Sequence, residues 1–274
     1  MQSIEPHHSS DETEADAASE SAPRRRSRGI YLLPNLFTTA ALFSGFYAII
    51  AAQTGRFSAA AVAVFIAMIL DAVDGRVARM TNTQSAFGAQ YDSLADLISF
   101  GLAPALVMYQ WSLFNMNDVG WGWAKLGWLA AFFYTAAAAM RLARFNVSLG
   151  TADKRYFLGL PSPTAAALMI GTVWVATDLG ISGETLMVPA FIITIAAGAL
   201  MVSNVLYPSF KQIDYKSRVP FLGVLVMVLV VMLLAFDPPK TLFLGFLVYT
   251  LSGPVIFVLR LRKRKNRRDS AGPE

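Results

Sequence analysis

Four aspartates lie between Leu70 and Phe100, in a stretch of the sequence that also contains two arginines. Asp71 and Asp74 are three residues apart, and Asp92 and Asp96 are four residues apart. Because residues with these spacings share one face of a helix, each pair predicts an acidic face. Carboxylate oxygens bind hard divalent cations such as Mg²⁺, Mn²⁺ or Ca²⁺. Two ions held by shared carboxylates can stabilise a phosphate during in-line displacement, so the stretch predicts a metal-assisted site.

The rest of the composition argues against other kinds of reactive group. The chain has no cysteine, which excludes disulfides, thiolate metal sites and a cysteine nucleophile. Its two histidines, His7 and His8, both lie in the polar N-terminal segment. Any chemistry is therefore expected to depend on carboxylates.

The elements that carry these aspartates are predicted to be membrane-spanning helices. Of 274 residues, 55% are hydrophobic and only 15% are charged, whereas about one quarter of the residues are charged in soluble domains. A spanning helix needs about 20 mostly apolar residues. Eight segments qualify, and they predict an all-α integral membrane protein: 30–52, 58–80, 86–111, 124–147, 161–178, 185–204, 219–236 and 241–260.

The distribution of lysine and arginine predicts the orientation. With the N-terminus in the cytosol, the inner side receives "RRRSR" (24–28) and "RLRKRKNRR" (260–268), and the outer side receives only Arg56, Lys125 and Lys240. This asymmetry predicts two cytosolic termini and a multi-pass protein of the inner (cytoplasmic) membrane. Attraction to anionic lipid explains the net charge of +5 without any nucleic acid. We expect a disordered polar tail (1–28), a transmembrane catalytic domain (29–262) and a basic tail (263–274).

This topology places the aspartates at the cytosolic ends of the second and third spans. Two antiparallel helices joined by a short turn can direct both acidic faces at each other, with small residues leaving room between them. Structural ion pairs with Arg76 and Arg79 are one alternative, and a divalent-cation carrier is another. Charges inside spans usually mark a functional site. Their position near one membrane face favours a reaction centre at the interface.

The same residues form the pattern Asp71-x₂-Asp74-Gly75-x₂-Ala78-Arg79-x₈-Gly88-x₃-Asp92-x₃-Asp96. It resembles, at every fixed position, the signature of the CDP-alcohol phosphotransferase family of integral membrane enzymes. The resemblance implies that a CMP-activated substrate binds at two Mg²⁺ or Mn²⁺ ions and that an alcohol displaces CMP. It also implies a homodimer.

The resemblance further implies roles for individual residues. Asp71, Asp74 and Asp92 would bind metal, and Asp96 would contact the second ion and act as general base. The pocket for the CDP-lipid would be lined by Asn35, Gly75, Ala78, Arg79, Ser85 and Gly88.

Three further stretches resemble the serine-using bacterial members of this family: "DSLADLISFGLAP" (92–104), "RLARFNV" (141–147) and "FLGLPSPTAA" (157–166). They imply transfer of a phosphatidyl group from CDP-diacylglycerol to L-serine. Arg141, Arg144 and Asn146 are the candidate acceptor contacts, because an arginine can bind the serine carboxylate through two hydrogen bonds. The alternatives are glycerol 3-phosphate, inositol phosphate or choline as acceptor, and a purely topological role for the two arginines.

Overall fold

The computed structural model describes residues 32–81, 85–148, 156–208 and 221–269, and the predicted tail at 1–28 lies outside these ranges. Helices occupy all eight predicted segments. In chain order the elements are α1 (Leu32–Gln53), α2 (Phe57–Thr81), α3 (Ala86–Asp96), a π-helical segment (Leu97–Leu102), α4 (Ala103–Trp111), a 3₁₀ segment (Leu113–Asp118), α5 (Trp121–Ser148), β1 (Tyr156–Leu158), α6 (Ser162–Asp178), α7 (Met187–Val202), β2 (Leu206–Pro208), α8 (Phe221–Phe236) and α9 (Pro238–Asp269).

The helices give the chain a multi-pass membrane architecture. Five stretches are long and apolar enough to cross a bilayer: Asn35–Gln53, Phe57–Thr81, Ala86–Trp111, Trp121–Val147 and Pro238–Leu259. α6, α7 and α8 have 17, 16 and 16 residues, or about 24 to 26 Å at the helical rise. The expected all-α membrane class is confirmed, and the count of eight spans stays a prediction.

Small residues allow the first two helices to pack closely. α1 and α2 meet through buried alanines, and Ser44 of α1 donates a 2.7 Å hydrogen bond to the Ala63 carbonyl of α2. On another side of α1, a Cβ atom at Gly45 would lie 2.8 Å from the Cα of Ser99. Such small residues let membrane helices approach closely. The packing fixes the start of α1 beside the end of α2, where the aspartates lie.

The third predicted span is interrupted by the π-helical segment. Ser85 caps α3 by accepting a 2.9 Å hydrogen bond from the Gly88 amide. The π-helical segment begins directly after Asp96, and α4 follows with Pro104 in its first turn. Because proline has no N–H, the ordinary helical hydrogen bond to the Phe100 carbonyl does not form here. The span was predicted as one continuous helix, so the π-helical segment is a departure from expectation.

A short antiparallel ribbon, which the sequence did not predict, joins two connections between helices. Phe157 of β1 pairs with Tyr207 of β2. Gly159 follows with φ +77°, and a Cβ there would lie 2.3 Å from the Met201 carbonyl oxygen. Both the dihedral angle and the close contact therefore require glycine.

The ribbon is bound to α9 at a backbone carbonyl that lacks its usual helical donor. Tyr207 is fully buried and donates a 3.1 Å hydrogen bond to the Thr250 carbonyl. That carbonyl lies four residues before Pro254, which has no N–H to offer it. Burial raises the pKa of Tyr207 to about 12, so its hydroxyl keeps the proton that it donates.

Candidate active site

The four aspartates converge where the end of α2 faces α3. One carboxylate oxygen from each of Asp71, Asp74 and Asp92 lies within 4.8 Å of the others. Asp96 is within hydrogen-bonding reach of Asp71 and also interacts electrostatically with Asp92. The two acidic faces, separate in the sequence, therefore form one cluster. Such a concentration of negative charge in a membrane helix pair needs cations to balance it.

Helix α1 supplies a hydrogen bond to this cluster. The hydroxyl of Thr38 donates to Asp74 Oδ2 at 2.7 Å, and both side chains are buried. The bond fixes one oxygen of the Asp74 carboxylate. In the next helical position, the Thr39 and Tyr91 hydroxyls are 2.9 Å apart and connect α1 to α3.

The predicted CDP-lipid contacts lie around the same two helix ends. A Cβ atom at Gly88 would lie 3.5 Å from Asn35 Oδ1 and 3.1 Å from Ser85 Oγ, so these three residues are neighbours. On α2, Gly75 and Ala78 are half-buried, and the exposed Arg79 extends back toward Gly75. Gly75 directly follows Asp74 in α2, and Gly88 lies one helical turn before Asp92 in α3.

Arg141 is the predicted acceptor contact that lies beside the aspartates. Its guanidinium interacts electrostatically with Asp96, and Nη1 donates a 2.7 Å hydrogen bond to the fully buried Ser162. Its Nε is the buried side-chain polar atom that lacks a partner in the described part of the chain. An unsatisfied buried donor is unfavourable, so a hydrogen bond from this atom to an acceptor group would be stabilising.

The other two predicted acceptor contacts have different neighbours. Arg144 Nη2 donates to Asn204 Oδ1 at 2.9 Å, at the end of α7. Asn146 Nδ2 donates to the hydroxyl of Ser93 at 2.9 Å, and Ser93 is adjacent to Asp92 in α3. Asn146 therefore connects α5 to the acidic helix, whereas Arg144 contacts the connection after α7.

The donor set of the cluster fits a hard divalent cation. The three clustered ligand groups are carboxylates, and they are partly or fully buried. Oxygen ligands without sulfur or imidazole select Mg²⁺, Mn²⁺ or Ca²⁺ over zinc and copper. Asp71, Asp74 and Asp92 are the residues that would hold the ion.

Sequence reasoning missed three hydroxyl groups that support these side chains. Thr38 lies three residues after Asn35, on the same face of α1, and this spacing was the available signal. Ser93 and Ser162 are bound to Asn146 and Arg141 over 53 and 21 residues of sequence. Nothing local to either serine indicates such a partner, because the contact depends on how the helices pack.

Comparison with known proteins identifies the family of this chain. The model of the family described as CDP-alcohol phosphatidyltransferase matches residues 31–203. A Helicobacter pylori protein named CDP-diacylglycerol–serine O-phosphatidyltransferase is 36% identical over 244 residues, which cover 87% of this chain and 97% of the relative. A Methanocaldococcus jannaschii protein of the same name is 34% identical over 149 residues, covering 54% of this chain and 63% of the relative. The chain belongs to the CDP-alcohol phosphatidyltransferase family.

Proposed function

We propose that this protein is an enzyme that transfers the phosphatidyl group of CDP-diacylglycerol to L-serine, giving phosphatidylserine and CMP. The observation that carries the proposal is the aspartate cluster with Arg141 beside Asp96. Similarity to serine-using relatives over 87% of the chain supports the choice of acceptor.

Asp71, Asp74 and Asp92 would hold the metal, which we propose to be two Mg²⁺ or Mn²⁺ ions, with Asp96 contacting the second. Bound there, the ions would stabilise negative charge on the phosphates. Thr38 fixes one oxygen of Asp74 and so orients a proposed metal ligand. The nucleotide and phosphates of the CDP-lipid would bind along the rim formed by Asn35, Gly75, Ala78, Arg79, Ser85 and Gly88.

Asp96 is the proposed general base. A serine hydroxyl is a poor nucleophile, so a positioned carboxylate must accept its proton as the new bond forms. The serine oxygen then bonds to the phosphorus of the phosphatidyl group, and the bond from that phosphorus to the CMP oxygen breaks. Since the chain contains no cysteine and no histidine outside its first eight residues, a single displacement is the simplest route.

Arg141 is the proposed contact for the serine carboxylate. Its Nη1 is bound to Ser162, and its buried Nε has no hydrogen-bond partner within the described part of the chain. Nε and Nη2 donate from one edge in parallel, which matches the two oxygens of a carboxylate. Asn146 and Arg144 are proposed as further acceptor contacts from the same helix.

The proposed setting is the inner (cytoplasmic) membrane, with eight spans, both termini and the active site on the cytosolic side, and a homodimer as the assembly. The catalytic domain would span residues 29–262, between a polar segment at 1–28 and a basic segment at 263–274. The long stretches of apolar helix support the membrane setting. Helix α9 continues through the boundary at residue 262 as far as Asp269.

The test is CMP release by the purified protein in detergent, with CDP-diacylglycerol and Mg²⁺ or Mn²⁺. L-serine, glycerol 3-phosphate, inositol phosphate and choline are compared as acceptors, and Asp92→Asn is the inactive control. We expect release that depends on L-serine and formation of phosphatidylserine. Release with another alcohol alone would assign the protein to a different acceptor. If folded protein released no CMP with any acceptor, divalent-cation transport would become the function to test.

A further inference from the structure

The carboxylate proposed as general base lies at the junction between two kinds of helix. Asp96 is the last residue of α3, and the π-helical segment starts at the next residue. A π-helical turn contains an extra residue, so it changes the direction in which preceding side chains point relative to the rest of the helix. The direction in which the Asp96 side chain points therefore depends on the contacts that hold the π-helical segment in place.

Tyr134 of α5 makes a buried contact with this segment. It is fully buried, and its hydroxyl donates a 2.9 Å hydrogen bond to the Phe100 carbonyl. That carbonyl lies four residues before Pro104, so its usual helical donor does not exist. Tyr134 thus replaces the missing N–H, one helical turn beyond Asp96.

The same helix carries the arginine that faces Asp96. Tyr134 and Arg141 are seven residues apart, so they lie on one face of α5 about two turns from each other. One face of α5 therefore carries both the hydroxyl that is bound at Phe100 and the guanidinium that interacts electrostatically with Asp96.

We propose that Tyr134 is a positioning residue, whose hydroxyl fixes the π-helical segment against α5 and so holds the Asp96 carboxylate toward the acceptor. The proposal rests on the function proposed above, in which Asp96 accepts the hydroxyl proton. Tyr134 acts through Asp96 and does not touch the substrates. Loss of its hydroxyl should therefore affect turnover much more than substrate binding.

The test compares Tyr134→Phe with Tyr207→Phe. Both hydroxyls are fully buried, and each donates to a carbonyl four residues before a proline. The two substitutions therefore remove the same type of hydrogen bond. Only Tyr134, however, is bound to the segment that follows Asp96. For each variant, kcat, the KM values for serine and CDP-diacylglycerol, and the melting temperature are measured in detergent.

We expect similar losses in melting temperature, but a loss of kcat in Tyr134→Phe alone. Its kcat should fall on the order of 10- to 100-fold, as for a small misplacement of a catalytic group, with both KM values within about threefold of wild type. Equal kcat losses in the two variants would overturn the proposal, because they would indicate a general effect of lost packing.

Asp96→Asn separates this proposal from the one on which it rests. Near wild-type turnover in Asp96→Asn would refute the role of Asp96 as base, and the positioning role with it. An inactive Asp96→Asn together with wild-type kcat in Tyr134→Phe would refute the positioning role alone.

A second substitution covers the case in which Tyr134→Phe does not fold. Gly101→Ala retains every hydroxyl, but its new methyl group would lie 3.1 Å from the Ala138 Cβ atom of α5 and 3.1 Å from Leu97 Cδ1 in the π-helical segment. It should push the π-helical segment away from α5 and so lower kcat while the KM values remain within about threefold. An unchanged kcat would overturn the proposal.

Discussion

At the scale of single residues, the hydrogen bond from Thr38 to Asp74 connects a neutral hydroxyl to a carboxylate in the acidic cluster. Groups that orient a metal ligand typically contribute 10- to 100-fold in metal affinity or activity. Thr38→Val has nearly the same shape but cannot donate. We expect this variant to need about tenfold more Mg²⁺ or Mn²⁺ for half-maximal activity.

The control for Thr38→Val is Thr172→Val. The Thr172 hydroxyl is also buried, but it donates to the Leu168 carbonyl of its own helix. A metal titration of both variants isolates the contribution of Asp74. If the two curves coincide, Thr38 does not orient a metal ligand.

Arg141 offers a second test at this scale. Arg141→Ala removes the guanidinium edge proposed to bind the serine carboxylate, and it leaves Ser162 without its donor. We expect the KM for serine to rise on the order of 100-fold, since hydrogen bonds to charged groups are among the strongest. The KM for CDP-diacylglycerol should change less than threefold. An equal rise in both would instead assign Arg141 to the structure of the helix bundle.

At the scale of the elements, the sequence predicted the helices but not the π-helical segment within one span or the β-ribbon between helices. Apolar segments long enough to cross a membrane can be recognised one at a time, and all eight are helical. The π-helical segment and the β1–β2 ribbon depend on distant partners, Tyr134 and α9. The sequence shows Pro104 and Pro254, and each proline leaves one backbone carbonyl without its helical donor. The packing of the helices determines which side chain binds that carbonyl.

The candidate site shows the same division. The spacing of the aspartates within each helix predicts two acidic faces, and the structure brings these faces together. The supporting hydroxyl groups come from three different helices: Thr38 from α1, Ser93 from α3 and Ser162 from α6. Only the spacing of Thr38 from Asn35 gave a signal in the sequence, because single serines and threonines are common in apolar helices.

The ribbon supports a prediction about stability. Gly159 has φ +77°, and a Cβ atom there would collide with the Met201 carbonyl. Gly159→Ala should therefore destabilise the fold by about 1–3 kcal/mol. Gly122→Ala, at the start of α5, is the control, because a Cβ there meets no atom within 4 Å. Thermal melting in detergent should show a lower midpoint for Gly159→Ala only. Equal midpoints would mean that the turn after β1 can rearrange at little cost.

At the scale of the whole molecule, the proposed metal would connect two consecutive helices at their facing ends. Its ligands come from α2 and α3, and Asp74 is bound in turn to α1. A ligand that binds only the folded state stabilises it by about 2.7 kcal/mol at 100 times its Kd. We expect Mn²⁺ to raise the melting temperature of the wild-type protein and chelation to reverse the rise.

Two variants sharpen that measurement. Asp92→Asn removes a proposed ligand and should abolish the rise in melting temperature. Asp118→Asn changes an exposed aspartate in the 3₁₀ segment before α5 and should retain it. A rise of the same size in Asp92→Asn would place the stabilising ion elsewhere on the protein.

The π-helical segment has a consequence for how this molecule can vary. One additional residue in a helical turn shifts everything on one side of it by about 100° relative to the other. The span has an acidic half, Ala86–Asp96, and a second half, Ala103–Trp111. The direction in which side chains point in one half therefore does not follow from the other half by α-helical spacing alone. Substitutions that repack the second half need not rotate the carboxylates. Deletion of a single residue between 97 and 102, by contrast, would return the span to one phase and turn either its carboxylates or its buried face away from their partners.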